Sequence, residues 1–187
     1  MWPVLEGDAK VAGTEAWVRR AGTGDVAEIV ELSFALFRED AGRRDPSVNL
    51  GWPEEEGWGY FAGMVVGDLS LCLVAGSAGE TVGYLAGRIG EGTTLRPVKV
   101  AELESMYVRE GYRDRGVGAR LVDEFLAWAG SLGAERASVV AYEANEGAIR
   151  FYQRAGFGAR SVSMERAIGQ GLGDPGPSGA GRAGEEP

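Results

Sequence analysis

The sequence predicts an α/β domain with a mixed sheet. The apolar runs follow the order of one strand, two helices, a hairpin, a strand, a helix, a strand, a helix and a last strand. Two glycines, Gly116 and Gly118, stand between a β-like run and an amphipathic helix. Because 44% of the 187 residues are hydrophobic, one domain with a proper core is expected, and we place it at residues 16–167.

The elements of the first half follow from apolar spacing and turn residues. Residues 1–15 lack a periodic pattern and are expected to be a loose N-terminal segment. Asp25 is the expected N-cap of the first helix. The further elements are a strand at 17–20, a helix at 26–37, a polar loop at 41–56, a second helix at about 54–66, and hairpin strands at 69–76 and 81–89.

The second half alternates strands and helices and ends in a tail. The expected elements are a turn at 90–97, a strand at 99–109, a helix at 116–131, a strand at 135–141, a helix at 145–155 and a last strand at 157–167. Residues 168–187 are rich in Gly and Pro. Such a segment cannot bury enough apolar surface to offset its ordering entropy, so we expect a disordered tail.

Composition excludes several classes of function. A net charge of −9 argues against nucleic acid and anionic membranes as partners. The chain has no histidine, which removes Ser-His-Asp and Cys-His pairs and histidine metal sites, so no metal is expected. The single cysteine, Cys72, lies in an apolar run and is expected to be a buried thiol. No signal peptide or spanning segment is evident, and the expected location is cytoplasmic.

A basic loop followed by two glycines predicts a phosphate site at the start of the helix at 116–131. Backbone N–H groups at a helix start lack partners within the helix, and the helix dipole attracts anions there. The candidate phosphate-binding positions are Arg113, Arg115, Gly116, Val117, Gly118 and Ala119. Leu121 stands where a dinucleotide fingerprint needs its third glycine, and no lysine follows as an ATP-type loop requires.

Two segments resemble motifs of one enzyme superfamily. Arg113-x-x-Gly116-x-Gly118 is similar to the pyrophosphate-binding motif of the GNAT superfamily, the acyl-CoA-dependent N-acetyltransferases. The stretch 145–157 is similar to its N-x-x-A-x-x-F-Y-x-x-x-G-F element at every fixed position. The resemblance covers about residues 16–167 and is weak at 38–66. It implies a mostly antiparallel central sheet flanked by helices, with acetyl-CoA as co-substrate.

The strand at 99–109 carries two candidate carboxylates. Alternation predicts Glu102, Glu104, Met106 and Val108 on one face, with the residues between them on the other. From the residues alone, the glutamates either perform acid–base chemistry or lie on a solvated face. The resemblance implies that Glu104 is the catalytic base, often through a water molecule, and Glu102 is the second candidate.

The resemblance assigns further roles along the cleft. It implies that the backbone of Met106 and Val108 binds the pantetheine arm, and that Asn145 contacts the coenzyme. It also implies that Tyr152 protonates the leaving thiolate. From the residues alone, Asn145 is equally a helix N-cap, and the alternative for Tyr152 is an aromatic core residue.

The acceptor region allows two interpretations. The aromatic residues Trp52, Trp58, Tyr60 and Phe61 lie near three glutamates at 54–56, either as a pocket for a cationic acceptor or as a helix start with acidic first-turn residues. The expected acceptor is a small amine, such as an aminoglycoside-like antibiotic or a polyamine. The alternatives are a protein N-terminus or lysine, or a non-catalytic acyl-CoA-binding module. The oligomeric state is open, and a homodimer is compatible with the sequence.

Overall fold

The computed structural model describes residues 16–166 and 168. The predicted loose segment 1–15 and, apart from Ile168, the predicted tail 168–187 lie outside these residues. The fold class is confirmed, because a mixed, mostly antiparallel sheet is flanked by helices.

The sheet has five strands in the order β1-β2-β3-β4-β5. They are β1 (Trp17–Arg20), β2 (Ser70–Ser77), β3 (Glu80–Gly90), β4 (Val100–Val108) and β5 (Arg136–Val139). The first four pair as antiparallel neighbours, and β5 lies parallel to β4. A parallel neighbour requires a crossover connection, which the helix between β4 and β5 provides.

Helices cover both faces of the sheet. They are α1 (Val26–Glu39), α2 (Ala41–Arg44), α3 (Trp52–Glu55), α4 (Gly57–Val66), α5 (Val117–Ser131) and α6 (Glu146–Arg154). One core packs Ile29 of α1 and Phe61 of α4 on the sheet, and the other packs Leu121 and Phe125 of α5 on the opposite face. Truncating a ring as buried as that of Phe125 typically costs about 3–5 kcal/mol. Among the described residues, no helix has both the length and the apolar character needed to cross a membrane.

Two local features of the first half differ from what the sequence predicts. The expected loop at 41–56 contains the short helices α2 and α3, whose single turns are too brief for apolar periodicity to reveal. Asp25 is the N-cap residue of α1, as predicted, but its side chain makes no capping hydrogen bond to this helix. Its carboxylate instead accepts the Gly22 N–H at 2.7 Å and pairs with Arg19, and this ties β1 to the start of the helix.

The predicted last strand at 157–167 is absent from the residues that the structure describes. Residues 157–166 form no strand, and residue 167 lies outside the described set. β5 is also shorter than predicted, with four residues. Val162 and Met164 alternate as in a strand, but both are exposed. Alternation alone does not form a strand, because backbone groups must pair with a neighbour, and no described strand pairs with this segment.

Candidate active site

A β-bulge at Glu104 shapes the centre of the molecule. In the β3–β4 register, Ala86 lies opposite Ser105 but Gly87 lies opposite Leu103, so Glu104 is the extra residue. Gly87 permits this close approach. A Cβ at that position would lie 2.6 Å from the Glu102 carbonyl oxygen and 2.6 Å from the Phe125 ring.

The bulge changes which residues share a face, so the predicted alternation is wrong. Leu103 is buried in the core beneath α5, and Met106 and Val108 pack against the same core. Tyr107 is buried in the core beneath α1 and α4. The predicted face assumed uninterrupted alternation, whereas one inserted residue exchanges the two faces from that point onward.

Glu104 lies in a side-chain network with two partners from neighbouring elements. Its carboxylate forms an ion pair with Arg88 of β3 and accepts a hydrogen bond from the Tyr60 hydroxyl of α4. Arg88 Nη2 also donates to the Tyr60 oxygen at 2.7 Å. Burial, together with the hydrogen bond to Glu104, raises the pKa of Tyr60 to about 12. Tyr60 therefore remains a hydroxyl donor at neutral pH, and the carboxylate is held in one orientation.

A largely apolar cavity of about 470 Å³ adjoins this network. Its lining residues are Ser33, Phe37, Val48, Asn49, Trp52, Tyr60, Phe61, Glu104 and Ser105. The Phe37 and Trp52 rings stack with centroids 5.7 Å apart, and Tyr60 meets Trp52 edge-on at 5.2 Å. Three of the four predicted aromatic residues thus line a pocket, which supports the first interpretation of this region.

The remaining residues of that region face solvent. Trp58 is 56% exposed and does not line the cavity. Residues 54–56 are exposed as well, and Glu54 and Glu55 occupy the first turn of α3. The second interpretation is therefore correct for these two acidic residues, because they lie at a helix start and outside the pocket.

Glu102 lies apart from Glu104. It is exposed and lines a separate depression of about 320 Å³ with Arg88, Arg96 and Ser138 among its neighbours. Only Glu104 of the two glutamates contacts the aromatic cavity. In the part of the chain that the structure describes, no three acidic or thiol side chains converge as a metal site requires.

β4 and β5 separate just beyond the bulge. They pair from Val100 with Arg136 to Leu103 with Val139, after which β4 continues to Val108 without a described strand on that side. Met106 and Val108 are half-buried along this edge. The open edge offers backbone groups to an extended ligand, because nothing in the described sheet pairs with them.

The start of α5 is uncapped. Gly116, its N-cap, has φ 82° in the left-handed region and makes no side-chain cap. The N–H groups of Val117, Gly118 and Ala119 therefore have no acceptor from the helix itself. A Cβ on Gly118 would lie 3.3 Å from the Phe151 ring, so this glycine also lets α5 approach α6.

The two arginines of the basic loop differ in their contacts. Arg113 Nη2 donates to Glu39 at 2.5 Å, and its Nε donates to the Val108 carbonyl at 2.8 Å. The Arg115 guanidinium is exposed and lies 5.8 Å from the centroid of the Tyr112 ring. Arg113 thus holds the end of β4, whereas Arg115 has a single aromatic contact.

Asn145 and Tyr152 lie on α6. Asn145 Oδ1 accepts the Ala148 N–H at 3.1 Å, which confirms the predicted N-cap, and its Nδ2 donates to Asp40 at 2.7 Å. Tyr152 packs edge-on between Phe151 and Phe157. Burial, with a smaller effect of the Asp40 charge, raises the pKa of Tyr152 to about 12.

Some residues of the site escaped the sequence analysis. Glu39 accepts hydrogen bonds from Tyr107 and Arg113, but it belongs to no motif. Arg88 and the bulge could have been inferred from Gly87, because a glycine inside a strand pattern often marks a close backbone approach. The buried hydroxyls of Ser33 and Tyr84 have no hydrogen-bond partner among the described residues, and Ser33 lines the cavity.

These features define a class of protein. A bulged strand places a carboxylate beside a cavity of small-molecule size, separates from its neighbour and leads into an uncapped helix that suits a phosphate. The model of the Acetyltransferase (GNAT) family matches residues 26–157, so the chain belongs to this family. The resemblance seen in the two sequence motifs is therefore confirmed at the level of the family.

Similar proteins agree with this assignment. An uncharacterized N-acetyltransferase of Methanocaldococcus jannaschii is 24% identical over 147 residues, covering 78% of this chain and 62% of that relative. A solved Bacillus halodurans protein has a TM-score of 0.65 at 22% identity, with 81% of this chain and 99% of that chain covered. An aminoglycoside N-acetyltransferase solved with CoA has a TM-score of 0.64 at 17% identity, covering 83% and 96%. These two structures show the shared fold.

Proposed function

We propose that this protein transfers an acetyl group from acetyl-CoA to the primary amine of a small molecule. The observation that carries the proposal is the position of Glu104, between the aromatic cavity and the open edge of β4. An amine in the cavity and a thioester along the strand edge would meet at this carboxylate. Holding two reactants in such an arrangement removes much of the entropic barrier to their reaction.

The reaction balances with the residues at this point. The amine nitrogen attacks the thioester carbonyl carbon, the C–S bond breaks, and the departing thiolate takes up a proton from solvent, so that the products are an amide and the coenzyme thiol. Glu104 takes the proton that the amine loses, directly or through a water molecule. The hydroxyls of Ser33 and Ser105, which line the cavity beside Glu104, suit such a water. Tyr60 and Arg88 keep the carboxylate in place.

The coenzyme is proposed to lie between α5 and α6. Its pyrophosphate accepts from the N–H groups at the uncapped start of α5, with Arg115 at the rim. Its pantetheine arm lies along Met106 and Val108. Arg113 contacts the phosphates only if it exchanges its hydrogen bond with Glu39 for one with the ligand. We assign Asn145 to the wall of the cleft, because its side chain already caps α6.

Tyr152 is proposed to stabilise the departing sulfur. A phenol with a pKa of about 12 is protonated throughout the neutral range. A thiol has a pKa of about 8.5, so complete proton transfer from Tyr152 to the thiolate is unfavourable. Hydrogen-bond donation to the developing negative charge requires no such transfer, and it lowers the barrier to C–S cleavage.

The acceptor is proposed to be a small cationic amine, and three observations support this. The chain carries a net charge of −9, which attracts cations in general. One solved relative of the same fold is an aminoglycoside N-acetyltransferase. The cavity has a volume of about 470 Å³, a size that suits a small molecule.

A thiol-release assay tests the proposal. The protein is incubated with acetyl-CoA and a panel of primary amines, free thiol is followed with a thiol reagent, and products are weighed by mass spectrometry. Cys72 does not interfere, because it is 1% exposed and burial raises its pKa to about 12. We expect amine-dependent thiol release with a matching acetylated product. Acetyl-CoA binding in calorimetry without turnover of any amine would instead identify a non-catalytic acyl-CoA-binding module.

A further inference from the structure

We infer that the acceptor is a primary amine with one positive charge on an aromatic or branched apolar body, and not a polycation. This inference rests on the proposed acetyl transfer and narrows its acceptor class. It follows from the wall of the cavity, from the charges that line it, and from the fate of each charge in the reaction.

The wall of the cavity is aromatic on several sides. Phe37, Trp52, Tyr60 and Phe61 contribute rings from three different helices. Trp52 stacks on Phe37 and meets Phe61 edge-on at 6.4 Å. Val48 adds a further apolar side chain. An apolar ligand body that covers such a surface removes it from water, which is favourable.

The charged lining is limited to one carboxylate. Glu104 is the sole acidic residue among the described residues that line the cavity, and Arg88 already pairs with it. The nearby acidic residues are engaged elsewhere: Glu39 binds Tyr107 and Arg113, and Asp40 binds Arg44 and Asn145. The glutamates at 54–56 are exposed and do not line the cavity, and Glu55 accepts a hydrogen bond from Asn49 of the lining at 2.9 Å. A second or third ammonium group would find no unpaired carboxylate in this lining.

The reacting ammonium group of an acceptor and its other ammonium groups have different fates in the reaction. The ammonium that reacts must lose its proton, and an apolar wall favours this loss because desolvation disfavours the charged form. Acetylation then leaves a neutral amide in the cavity. Every further ammonium of a polyamine or aminoglycoside would remain charged, and burying such a charge without a partner is unfavourable. The cavity therefore accepts the amine that is neutralised and disfavours those that are not.

The experiment ranks acceptors by kcat/KM at saturating acetyl-CoA. We expect phenethylamine and isoamylamine to exceed spermidine and an aminoglycoside such as kanamycin by at least about tenfold, the scale of a pocket's apolar discrimination. Spermidine or kanamycin at equal or higher kcat/KM would overturn the inference and leave the proposed transfer intact. Faster acetylation of a peptide α-amine with an apolar first side chain would overturn the small-molecule assignment. Absence of turnover with every amine would overturn the proposed function and this inference together.

A matched pair of tryptophans locates the specificity. Trp52→Ala is expected to lower kcat/KM for phenethylamine by at least about tenfold and to reduce its advantage over spermidine, because the lost ring is part of the wall. Trp58→Ala is the control, since Trp58 is exposed and lies outside the lining. Melting temperature and acetyl-CoA affinity report whether each variant is folded. Equal effects of the two substitutions on the acceptor ranking would contradict the assigned wall.

Discussion

The two halves of the molecule present different chemistry to their ligands. One half, called the coenzyme half below, is made of β4, α5 and α6 and contains the proposed coenzyme site. It offers backbone groups: an open strand edge and an uncapped helix start. The other half, called the acceptor half below, consists of α1 to α4 and the sheet face that they cover. It offers side chains: aromatic rings from the helices and the Glu104 carboxylate of the sheet, which Arg88 and Tyr60 hold in place. Backbone recognition depends on few residue identities, whereas a side-chain wall can change residue by residue. The difference suggests that the coenzyme site is generic and the acceptor site is particular to this chain.

The largest expected effect separates the two glutamates of β4. Glu104→Gln removes the proposed base at the cavity and is expected to lower kcat by about 10²–10⁴-fold, the usual contribution of a positioned acid or base. Glu102→Gln, in the separate depression, is expected to leave kcat within about threefold. Steady-state kinetics measure both, and acetyl-CoA affinity serves as the control for the coenzyme half. Similar losses of kcat in the two variants would contradict the assignment of the base role to Glu104 and not to Glu102.

Tyr152→Phe tests the proposed contact to the leaving sulfur. The ring keeps its packing between Phe151 and Phe157 and loses only the hydroxyl. We expect the single-turnover rate to fall by about 10–10²-fold, since a hydrogen bond to a developing charge contributes about 1.5–3 kcal/mol. A wild-type rate would make Tyr152 a packing residue.

The raised pKa of Tyr152 adds a prediction on pH dependence. A folded pKa of about 12 means that the donating form is fully present at lower pH and is lost only as pH rises through that value. Tyr152 should therefore produce no descending limb in the pH–rate profile below about pH 10. A descending limb at lower pH that disappears in Tyr152→Phe would contradict the raised pKa.

Two glycines of α5 test the coenzyme half with a smaller effect. A Cβ at Gly118 would lie 3.3 Å from Phe151 and would stand at the proposed phosphate site, so Gly118→Ala is expected to weaken acetyl-CoA binding. Gly130→Ala is the control, because nothing lies within 4 Å of its Cβ, and it should stabilise the helix by about 0.5–1 kcal/mol. Calorimetry and thermal unfolding measure both. Unchanged acetyl-CoA affinity in a folded Gly118→Ala variant would argue against a phosphate at this helix start.

The smallest expected effect concerns Glu39, which joins the two halves. Burial raises its pKa, but hydrogen bonds from Tyr107 and Arg113 outweigh this and hold the pKa below the usual range. Its stabilising contribution is therefore present above the unfolded value of about 4.3 and is lost as pH falls through the folded value. Because the pair is partly exposed, less than about 1 kcal/mol is expected.

Thermal unfolding between pH 6 and pH 3 measures this contribution. Wild type should lose more stability across the range than Glu39→Gln. Glu28→Gln, an exposed change on the same helix, should behave as wild type. An identical pH dependence in wild type and Glu39→Gln would show that Glu39 does not couple the halves.

The same contrast explains what the sequence could predict. The coenzyme half could be predicted from the sequence, because glycines at fixed spacing and the Asn145 cap act through the backbone and their local pattern determines their geometry. The acceptor half could not be predicted in the same way, because the Glu104 network joins β3, β4 and α4 across long sequence separations. The bulge also made the predicted alternation wrong, because a strict two-residue period does not allow for one inserted residue. The strand predicted at 157–167 failed for a related reason, since pairing is a property of two segments.

The most direct test of the central claim uses one ligand that spans both halves. A bisubstrate analogue joins coenzyme A through an acetyl bridge to the nitrogen of phenethylamine, and calorimetry compares its Kd with that of coenzyme A. If the two sites meet at Glu104, the analogue should bind at least about 10²-fold more tightly than coenzyme A, since the second contact becomes intramolecular. The Trp52→Ala substitution should abolish most of this gain, and Trp58→Ala should preserve it. An analogue that binds no more tightly than coenzyme A itself would contradict the claim that the aromatic cavity and the open edge of β4 form one active site.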